Sequence, residues 1–456
     1  MTTLKHAAAS LALAGAVLAS PAGAEDSVES LRAELDALRA DYAARLGALE
    51  ARIAELGTAS AAPAPGPAEI AAPEPAAAGA SPSLFNPAIS LILGGHYADT
   101  SEDPETWRIA GFMPSGGEVG PGEQSFNLGE SELILSANVD PYFSATLTAA
   151  ITGEDEIEVE EAFVQTLALP AGFTARAGRF FSGFGYVNEQ HAHAWDFVDQ
   201  PLVYQALFGN QRGQDGLQVK WLAPADLFIE LGAETGNGDS FPGTRESGDG
   251  LNGMTLFAHL GGDFGDSTSW RLGASWIDID AADRRFDDGG LSAFAGDSET
   301  WGVDAVLKWQ PVGSTRRQQL KLQGEYFERK ESGELVFDVE ASELSDSFRS
   351  RQSGWYVQGV YQFLPRWRAG LRYDALDSGT PRIGLVESGT LPPEAFPALL
   401  PASPERTSLM LDWNPSEFSR LRVQYAWDEA RDDGERDGQL FLQYLHGIGA
   451  HGAHKY

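Results

Sequence analysis

One stretch of this sequence, residues 182 to 213, is unusually rich in side chains that could bind a metal ion. Between positions 189 and 199 lie Glu189, His191, His193, Trp195, Asp196 and Asp199. On an extended backbone, the two imidazoles of a His-x-His pair point to the same side. Imidazole nitrogens combined with carboxylate oxygens suit Zn²⁺ or a similar ion. The sequence therefore predicts a metal site whose candidate ligands are His191, His193, Asp196 and Asp199.

The same histidines also have an ordinary structural interpretation. They could hydrogen-bond this stretch to the surrounding protein while Trp195 and Phe197 pack, with no ion involved. The choice between the two interpretations depends on whether the stretch lines a water-filled passage, and therefore on the elements that hold it.

A second group of charged side chains flanks the first. Five of its members lie on either side of a Pro-Ala-Gly turn, namely Glu158, Glu160, Glu161, Arg176 and Arg179. The sixth, Glu189, lies in the stretch itself. Opposite charges that face each other across a narrow passage create a transverse field that selects ions. We therefore predict that these residues form a pore constriction, with a structural salt bridge that stiffens the wall as the alternative.

Other chemistry has little support in the sequence. The spacing of His446, His451 and His454 matches no standard ligand template, so the end of a strand is favoured there over a metal site. There is no Gly-x-Ser-x-Gly elbow, no phosphate-binding glycine loop and no His-Glu-x-x-His motif. We predict no enzymatic activity and no resident cofactor, only transient binding of Zn²⁺ or another divalent cation.

The chain after Pro82 consists of short segments in which apolar and polar residues alternate. Leu133, Leu135 and Ala137 alternate with polar residues up to the turn at Asp140, which is typical of a strand with one apolar face. We count sixteen such segments, which begin near residues 88, 128, 142, 157, 173, 215, 227, 254, 269, 300, 318, 354, 366, 406, 419 and 438. None of them reaches the roughly 18 consecutive apolar residues that a membrane-spanning helix needs.

The connections between these segments alternate between short turns and long polar loops. An even number of antiparallel strands with short turns at one rim and long loops at the other is typical of bacterial outer-membrane barrels. When strands cross lipid, only a closed sheet satisfies all of their backbone hydrogen bonds. The predicted fold is an all-β, transmembrane, 16-stranded antiparallel β-barrel over residues 84–456. Residues 182 to 213 become its third external loop, which folds inward and narrows the pore in general porins.

Three segments precede the predicted barrel. Residues 1–24 show the order of charged, apolar and small residues of a secretory signal peptide. In residues 25–56, apolar residues recur every three or four positions, which predicts a periplasmic coiled-coil helix or, alternatively, a lone amphipathic helix on the barrel or membrane surface. Residues 57–83 form an Ala/Pro-rich linker.

Composition limits the partners of the chain. It has no cysteine, so the fold does not depend on disulfides and a metal site must use histidine and carboxylates. With 66 acidic and 32 basic residues, the formal net charge is -34. This charge disfavours nucleic acid and favours cations, although acidity that serves solubility or salt adaptation is an equal alternative.

Several motifs resemble those of known porins. The segment EVEEAFVQTLALPAGFTARAGRFFSGFG at 158–185 resembles a strand-turn-strand unit of the family that includes the phosphate-selective porins. The motifs FNPAISLIL at 85–93, NEQHAHAWDFVDQPL at 188–202 and the terminal GAHGAHKY resemble an outer-membrane porin subgroup suspected of metal uptake, especially of zinc. This resemblance implies a sixteen-stranded, trimeric porin. The phosphate-selecting members have basic pore linings, which this acidic chain does not match, so phosphate selectivity is not implied.

Together these features predict a porin in the bacterial outer membrane, with its N-terminal segment in the periplasm. It would allow passive diffusion of small hydrophilic solutes with tolerance or preference for cations, including a divalent metal such as zinc. The alternatives are an energised outer-membrane receptor and a structural tether of the outer membrane to the cell wall. The predicted partners are outer-membrane lipid, the barrel-assembly machinery, two further copies in a homotrimer, and peptidoglycan through the coiled coil.

Overall fold

The alternating segments form sixteen long antiparallel strands in the part of the chain that the structure describes. A computed structural model describes residues 87–115, 119–151, 157–244, 250–287, 291–313 and 318–449. The predicted signal peptide, coiled coil and linker, at 1–24, 25–56 and 57–83, lie outside the described residues, as do His451, His454 and Tyr456.

The strands begin within a few residues of the predicted positions, except β10 and β12, which begin about ten residues earlier. They are β1 (Ala88–Thr100), β2 (Ser131–Asn138), β3 (Phe143–Ile151), β4 (Ile157–Thr166), β5 (Phe173–Phe181), β6 (Gly213–Leu222), β7 (Phe228–Gly236), β8 (Gly253–Phe264), β9 (Thr268–Asp287), β10 (Leu291–Trp309), β11 (Gln319–Phe337), β12 (Leu344–Leu364), β13 (Trp367–Asp377), β14 (Glu405–Ser416), β15 (Ser419–Glu429) and β16 (Asp437–Gly449). Two short strands, Ser125–Asn127 and Arg382–Ile383, add to the pairing of β1 and β12.

The sheet closes on itself. Each long strand pairs antiparallel with the next one along the chain, and β16 returns to pair with β1 from Ser90 opposite Gly449 to Thr100 opposite Gln439. The predicted 16-stranded antiparallel barrel is confirmed. Closure gives every long strand a neighbour at both of its hydrogen-bonding edges within the barrel, and only the outer parts of the long hairpins, such as β9 beyond Ile279, lack one.

The barrel is apolar outside and polar inside. Along β14, the outward Leu409, Leu411 and Trp413 are 44%, 40% and 39% exposed, whereas the inward Ser408 and Asp412 are fully buried. The same two-residue period exposes large apolar side chains on the other strands. A water-soluble protein has the opposite arrangement, whereas lipid favours this one. The chain is therefore a transmembrane β-barrel of the outer-membrane class.

The wall of the barrel differs in height around its circumference. Strands β2 to β5 have 8 to 10 residues, whereas β9 to β12 have 19 to 21. Short turns join the strands at the end where β1 begins and β16 ends, and most of the long loops lie at the other end. Among the described residues, no helix is both long and apolar enough to cross a membrane.

The longest inward structure is the connection between β5 and β6, which we call the inner loop (residues 182–212). Its helix α1 (Leu202–Phe208) begins after Pro201 and ends at Gly209, which adopts a left-handed backbone with φ 64°. All seven residues of α1 are buried, because the helix is surrounded by barrel wall and loops instead of lying on a surface. The predicted inward fold of the third external loop is therefore present.

Candidate functional site

The inner loop crosses the lumen and is fixed to the opposite wall. Close to its start, the backbone amide of Gly183 donates to Glu234 on β7 at 2.8 Å. Further along, the amide of Val198 donates to Gln424 on β15 at 2.7 Å, and the amide of Leu202 donates to Asp374 on β13 at 3.0 Å. The contacts on β13 and β15 lie about half the circumference away from β5 and β6, whereas β7 is next to β6, so the loop runs from its own wall to the opposite one and divides the lumen.

On the β2–β4 side, the inner loop places His191 among carboxylates. Its Nδ1 lies 3.0 Å from Glu160 Oε2 and 3.6 Å from Glu132 Oε2, and its Nε2 lies 3.1 Å from Glu161 Oε2. The ligand atoms of Glu132, Glu160 and His191 all lie within 4.8 Å of one another. Burial by itself lowers the pKa of His191, but the hydrogen bonds that its ring donates to Glu160 and Glu161 raise that pKa well above its ordinary value.

His193 joins the same cluster from the side. Its Nδ1 lies 2.6 Å from Glu132 Oε1, and both side chains are at least nine-tenths buried. The second oxygen of Glu132, Oε2, is buried without a hydrogen-bond partner. Glu130, just before β2, is a further close acidic neighbour of Glu132 and Glu160. We call Glu130, Glu132, Glu160, Glu161, His191 and His193 the Glu/His cluster.

The sequence predicts an extended backbone at the His-x-His motif, but the structure has a 3₁₀ turn over Ala192–Ala194 instead. The two imidazoles nevertheless stack, with ring centroids 5.8 Å apart and an interplanar angle of 12°. The turn and the surrounding carboxylates therefore bring the two rings together. The two-residue period of a strand does not explain their proximity.

The structure does not bring Asp196 and Asp199 to the histidines, so the predicted four-ligand grouping is wrong. Asp196 pairs with Lys321 and with Arg368, whose Nη1 lies 3.2 Å away. Asp199 pairs with Arg406 and with Arg372, whose Nη2 lies 2.8 Å away. The reason is that basic side chains on the facing wall are stronger partners for these carboxylates than the histidines on the other side of the loop.

These contacts belong to a set of ion pairs between the inner loop and strands β11 to β15, in one group around Asp196 and another around Asp199. The members are five acidic side chains, Asp196, Asp199, Asp374, Asp412 and Asp428, and five basic ones, Lys321, Arg368, Arg372, Arg406 and Arg422. We call this set the wall network. Its ten formal charges balance, and the neighbouring Arg420 also holds the loop by donating to the backbone oxygens of His193 and Trp195.

The residues predicted as a constriction are dispersed. Glu160 and Glu161 face His191 in the Glu/His cluster, while Glu189 pairs with Lys220 at 3.1 Å. Arg176 points inward, hydrogen-bonds Gln165 and lies over the Phe163 ring at 4.1 Å.

Arg179 was predicted to face the lumen, and this prediction is wrong. It lies on the outer face, 42% exposed, and its Nε is 2.7 Å from Asp215. The two-residue period of β5 puts positions 176 and 179 on opposite faces, so both cannot line the lumen. The exposed Glu158 at the start of β4 is a charge neighbour of Arg179 and does not belong to a luminal ring.

Two cavities approach the inner loop from opposite ends of the barrel. One of about 640 Å³, at the long-loop end, is lined by His96, Glu105, Trp107, Glu123 and Gln205 among others. The other, of about 720 Å³ at the short-turn end, is lined by Lys308, Lys321, Arg368, Asp196 and Gln362 among others. We call them the external and periplasmic cavities.

A narrow region separates the two cavities. A smaller cavity of about 230 Å³ shares His96, Gly122 and Gln205 with the external cavity and also touches Asp199 and His193. Beyond it, a space of only about 10 Å³ lies between Asp196, Asp199, Lys321 and Arg372. The narrowest point is therefore at the contact between the inner loop and the wall network.

Sequence reasoning missed Glu130, Glu132 and the arginines of the wall network. The signal was present: Glu130 and Glu132 lie two residues apart ahead of the apolar Leu133 and Leu135, and Arg420 and Arg422 repeat the same spacing on β15. Charged residues at the polar phase of a predicted barrel strand are candidates for the lumen.

No family model matches this chain. Solved structures with a similar fold include a loop-deletion mutant of OmpT from Vibrio cholerae, at 12% identity and a TM-score of 0.49, covering 79% of this chain and 98% of that one. The outer-membrane channel DcaP of Acinetobacter baumannii is 13% identical with a TM-score of 0.48, covering 80% and 96%. OprB of Pseudomonas putida is 14% identical with a TM-score of 0.47, covering 80% and 94%.

A curated relative is an uncharacterized protein of Aquifex aeolicus (strain VF5). It is 31% identical over 405 residues, which cover 82% of this chain and 81% of the relative. Because this identity extends over about four-fifths of both chains, the chain belongs to the same protein family as that uncharacterized Aquifex aeolicus protein.

Proposed function

We propose that this protein is a passive diffusion channel for small hydrophilic solutes. The observation that carries the proposal is the pair of cavities that enter a polar lumen from opposite ends and come together at the inner loop. A lumen that served only as a packed core would have apolar side chains in the positions that Arg372, Asp374 and Asp412 occupy. Selection then depends on the width and charge of the narrow region, without covalent chemistry.

We propose further that the channel prefers cations, divalent metal ions among them. The ten charges of the wall network balance and the adjacent Arg420 is basic, so a preference for cations must come from the entrances. The external cavity is lined by Glu105 and Glu123 against Arg108, and the loop between β15 and β16 at the same end carries Asp432, Asp433 and Glu435 against Arg431 and Arg436. Acidic entrances raise the local concentration of cations.

The test is single-channel recording of the purified full-length protein in planar lipid bilayers. We expect discrete conductance steps without any energy source and, under a KCl gradient, a reversal potential of the sign that cation preference gives. Absence of conductance from folded, detergent-purified protein would refute the channel. An anion-selective reversal potential would refute the charge argument but not the channel.

We also propose that copies of the chain associate through the low wall, β2 to β5, as a trimer. The low wall reaches less far beyond the membrane than β9 to β12, so neighbouring copies could meet there without covering the mouths. Because the chain has no cysteine, Leu147→Cys on the outer face of β3 tests this directly. A homobifunctional maleimide should link copies through this position but not through the control Leu371→Cys on β13; equal linking at both positions would contradict the low wall as the interface.

A further inference from the structure

The Glu/His cluster has the arrangement of a metal site and not merely its composition. In four-coordinate zinc sites with metal–ligand bonds of about 2.0 to 2.2 Å, neighbouring ligand atoms lie about 3.3 to 3.6 Å apart. His191 Nδ1 lies 3.0 Å from Glu160 Oε2 and 3.6 Å from Glu132 Oε2, close to that separation. The ligand atoms of Glu132 and Glu160 lie within 4.8 Å of each other, so side-chain movements would bring all three atoms to bonding distance of one ion.

The neighbours of these three side chains orient them. Metal-binding histidines usually donate the N–H of the other ring nitrogen to a carboxylate, which fixes the ring. At His191 this acceptor is Glu161 Oε2, 3.1 Å from Nε2. Glu132 is held in the same way, since His193 hydrogen-bonds its Oε1 and leaves Oε2 directed towards His191.

The unpaired oxygen Glu132 Oε2 is a feature that an ordinary cluster of acidic residues does not explain. The side chain of Glu132 is 1% exposed, and this oxygen has no hydrogen-bond partner. Leaving a buried carboxylate oxygen unpaired is costly, whereas coordination to a cation would compensate it. The hydrogen bonds of Glu132 and Glu160 are with histidine and with Glu130, and among the described contacts no arginine or lysine neutralises these carboxylates.

We propose that Glu132, Glu160 and His191 bind one divalent transition-metal ion of the Zn²⁺ type, with the fourth coordination position open. Glu161 and His193 are positioning residues. The donor set of one imidazole and two carboxylates favours Zn²⁺ and similar ions over Ca²⁺, which takes six to eight oxygens. The cavity of about 230 Å³ reaches Glu130 and His193 beside the site and shares lining residues with the external cavity, which gives an ion a route to the neighbourhood of the site. This inference deepens the proposed channel, because an open site beside its narrow region would bind the ion that passes.

The test is Zn²⁺ binding to the full-length protein in detergent, measured by equilibrium dialysis with metal analysis. We expect one saturable Zn²⁺ per chain that Co²⁺ displaces and excess Ca²⁺ does not. Glu132→Gln, which keeps size, and His191→Ala should abolish this binding. Glu161→Gln should weaken it by about tenfold or more, the usual effect of losing an orienting partner.

His259→Ala is the matched control. This buried histidine also contacts a glutamate, with His259 Nδ1 3.0 Å from Glu230 Oε1, but it belongs to no group of three ligands among the described residues. Folding of each variant is checked by its electrophoretic mobility before and after heating. Bound Co²⁺ adds a readout of the site, since its visible absorption reports nitrogen and oxygen donors and should disappear in His191→Ala.

Zn²⁺ binding that survives Glu132→Gln and His191→Ala would overturn the site, as would the absence of saturable binding to folded wild type. Conductance is recorded on the same preparations. A protein that binds Zn²⁺ at this site but does not conduct refutes the channel and leaves the site standing. A protein that conducts but does not bind Zn²⁺ refutes only the site.

Discussion

At the scale of single residues, Asp199 holds the inner loop against the wall. Its Oδ2 pairs with Arg372 and Arg406, and its Oδ1 accepts a hydrogen bond from Gln424 at 2.6 Å. The carboxylate therefore contacts three neighbouring strands. Removing one member of a buried ion pair typically costs about 3 to 5 kcal/mol, because the remaining charges are left uncompensated.

We predict that Asp199→Asn raises single-channel conductance or the time spent in the open state. The amide keeps the shape of the side chain but loses the charge that attracts Arg372 and Arg406, so the loop is released from the wall. Bilayer recording measures this change. Asp215→Asn is the control, because Asp215 pairs with Arg179 on the outer face; a conductance unchanged by Asp199→Asn would contradict the role of the contact.

The same contact predicts how the channel responds to acid. Burial by itself raises the pKa of Asp199, but Arg372 and Arg406 hold that pKa below its ordinary value. A carboxyl whose folded-state pKa is lowered stabilises the fold above its unfolded pKa, near 3.9, and this stabilisation is lost only as the pH falls through the lower folded value. We expect the same conductance at pH 7 and pH 5; a larger conductance at pH 5 that Asp199→Asn removes would contradict this assignment.

The sequence indicated these residues only in part. The sequence singles out His191 and His193, because two histidines in a polar connection are rare enough to notice. Their partners Glu132 and Glu160 lie 59 and 31 positions before His191, on different strands, and only the register of the closed sheet brings them together. Asp196 and Asp199 are close to the histidines in sequence, but the turn at 192–194 sends them towards the opposite wall.

At the scale of elements, the strands were predictable because lipid requires a strict pattern. The outward position of each strand must be apolar, so the two-residue period is visible in the sequence of nearly every strand. The starts of β10 and β12 were placed too late, because their first residues lie on the long hairpins beyond the apolar band, where charged residues such as Asp297 and Arg349 occupy the outward face. The sequence does not predict helix α1, because seven residues that are apolar except for Gln205 give no amphipathic signal.

The outward apolar face of strand β6 leads to a prediction that a single substitution can test. Leu217 on β6 is 55% exposed and faces lipid between Asp215 and Val219. We expect Leu217→Arg to lower the free energy of unfolding by about 2 to 4 kcal/mol, the cost of a lipid-facing arginine near the bilayer centre.

The measurement is urea unfolding of the protein in lipid vesicles, followed by tryptophan fluorescence. Leu251→Arg is the matched control, because Leu251 is 73% exposed but lies in the connection between β7 and β8. Equal destabilisation by the two changes would argue against lipid contact at position 217.

At the scale of the whole molecule, charge is distributed unevenly between the two ends. The external cavity is lined by Glu105 and Glu123 against Arg108, whereas in the periplasmic cavity Lys308, Lys321 and Arg368 lie with Asp196, Asp263 and Asp266. An ion that enters from outside therefore meets a lining with an acidic excess first, and then linings in which acidic and basic groups are similar in number. The net charge of -34 alone did not reveal this polarity.

We predict that the double variant Glu105→Gln, Glu123→Gln reduces the preference for cations. The acidic groups act by raising the local cation concentration, so their effect should shrink at high ionic strength. The reversal potential in a KCl gradient measures the cation preference, and adding salt on the external side tests its dependence on ionic strength. Asp226→Asn, in the short turn between β6 and β7, is the control; an equal change in that variant would mean that overall charge, and not the external entrance, sets the preference.

The unequal height of the wall has a consequence for what can reach the channel. Strands of about 20 residues rise about 3.3 Å per residue, and at a tilt of about 40° they extend about 50 Å along the membrane normal, twice the apolar band of about 25 Å. The hairpins of β9 to β12 therefore project about 25 Å from the cell surface. A protease or an antibody that approaches from that direction collides with this rigid screen before it touches the entrance, whereas hydrated ions diffuse past it.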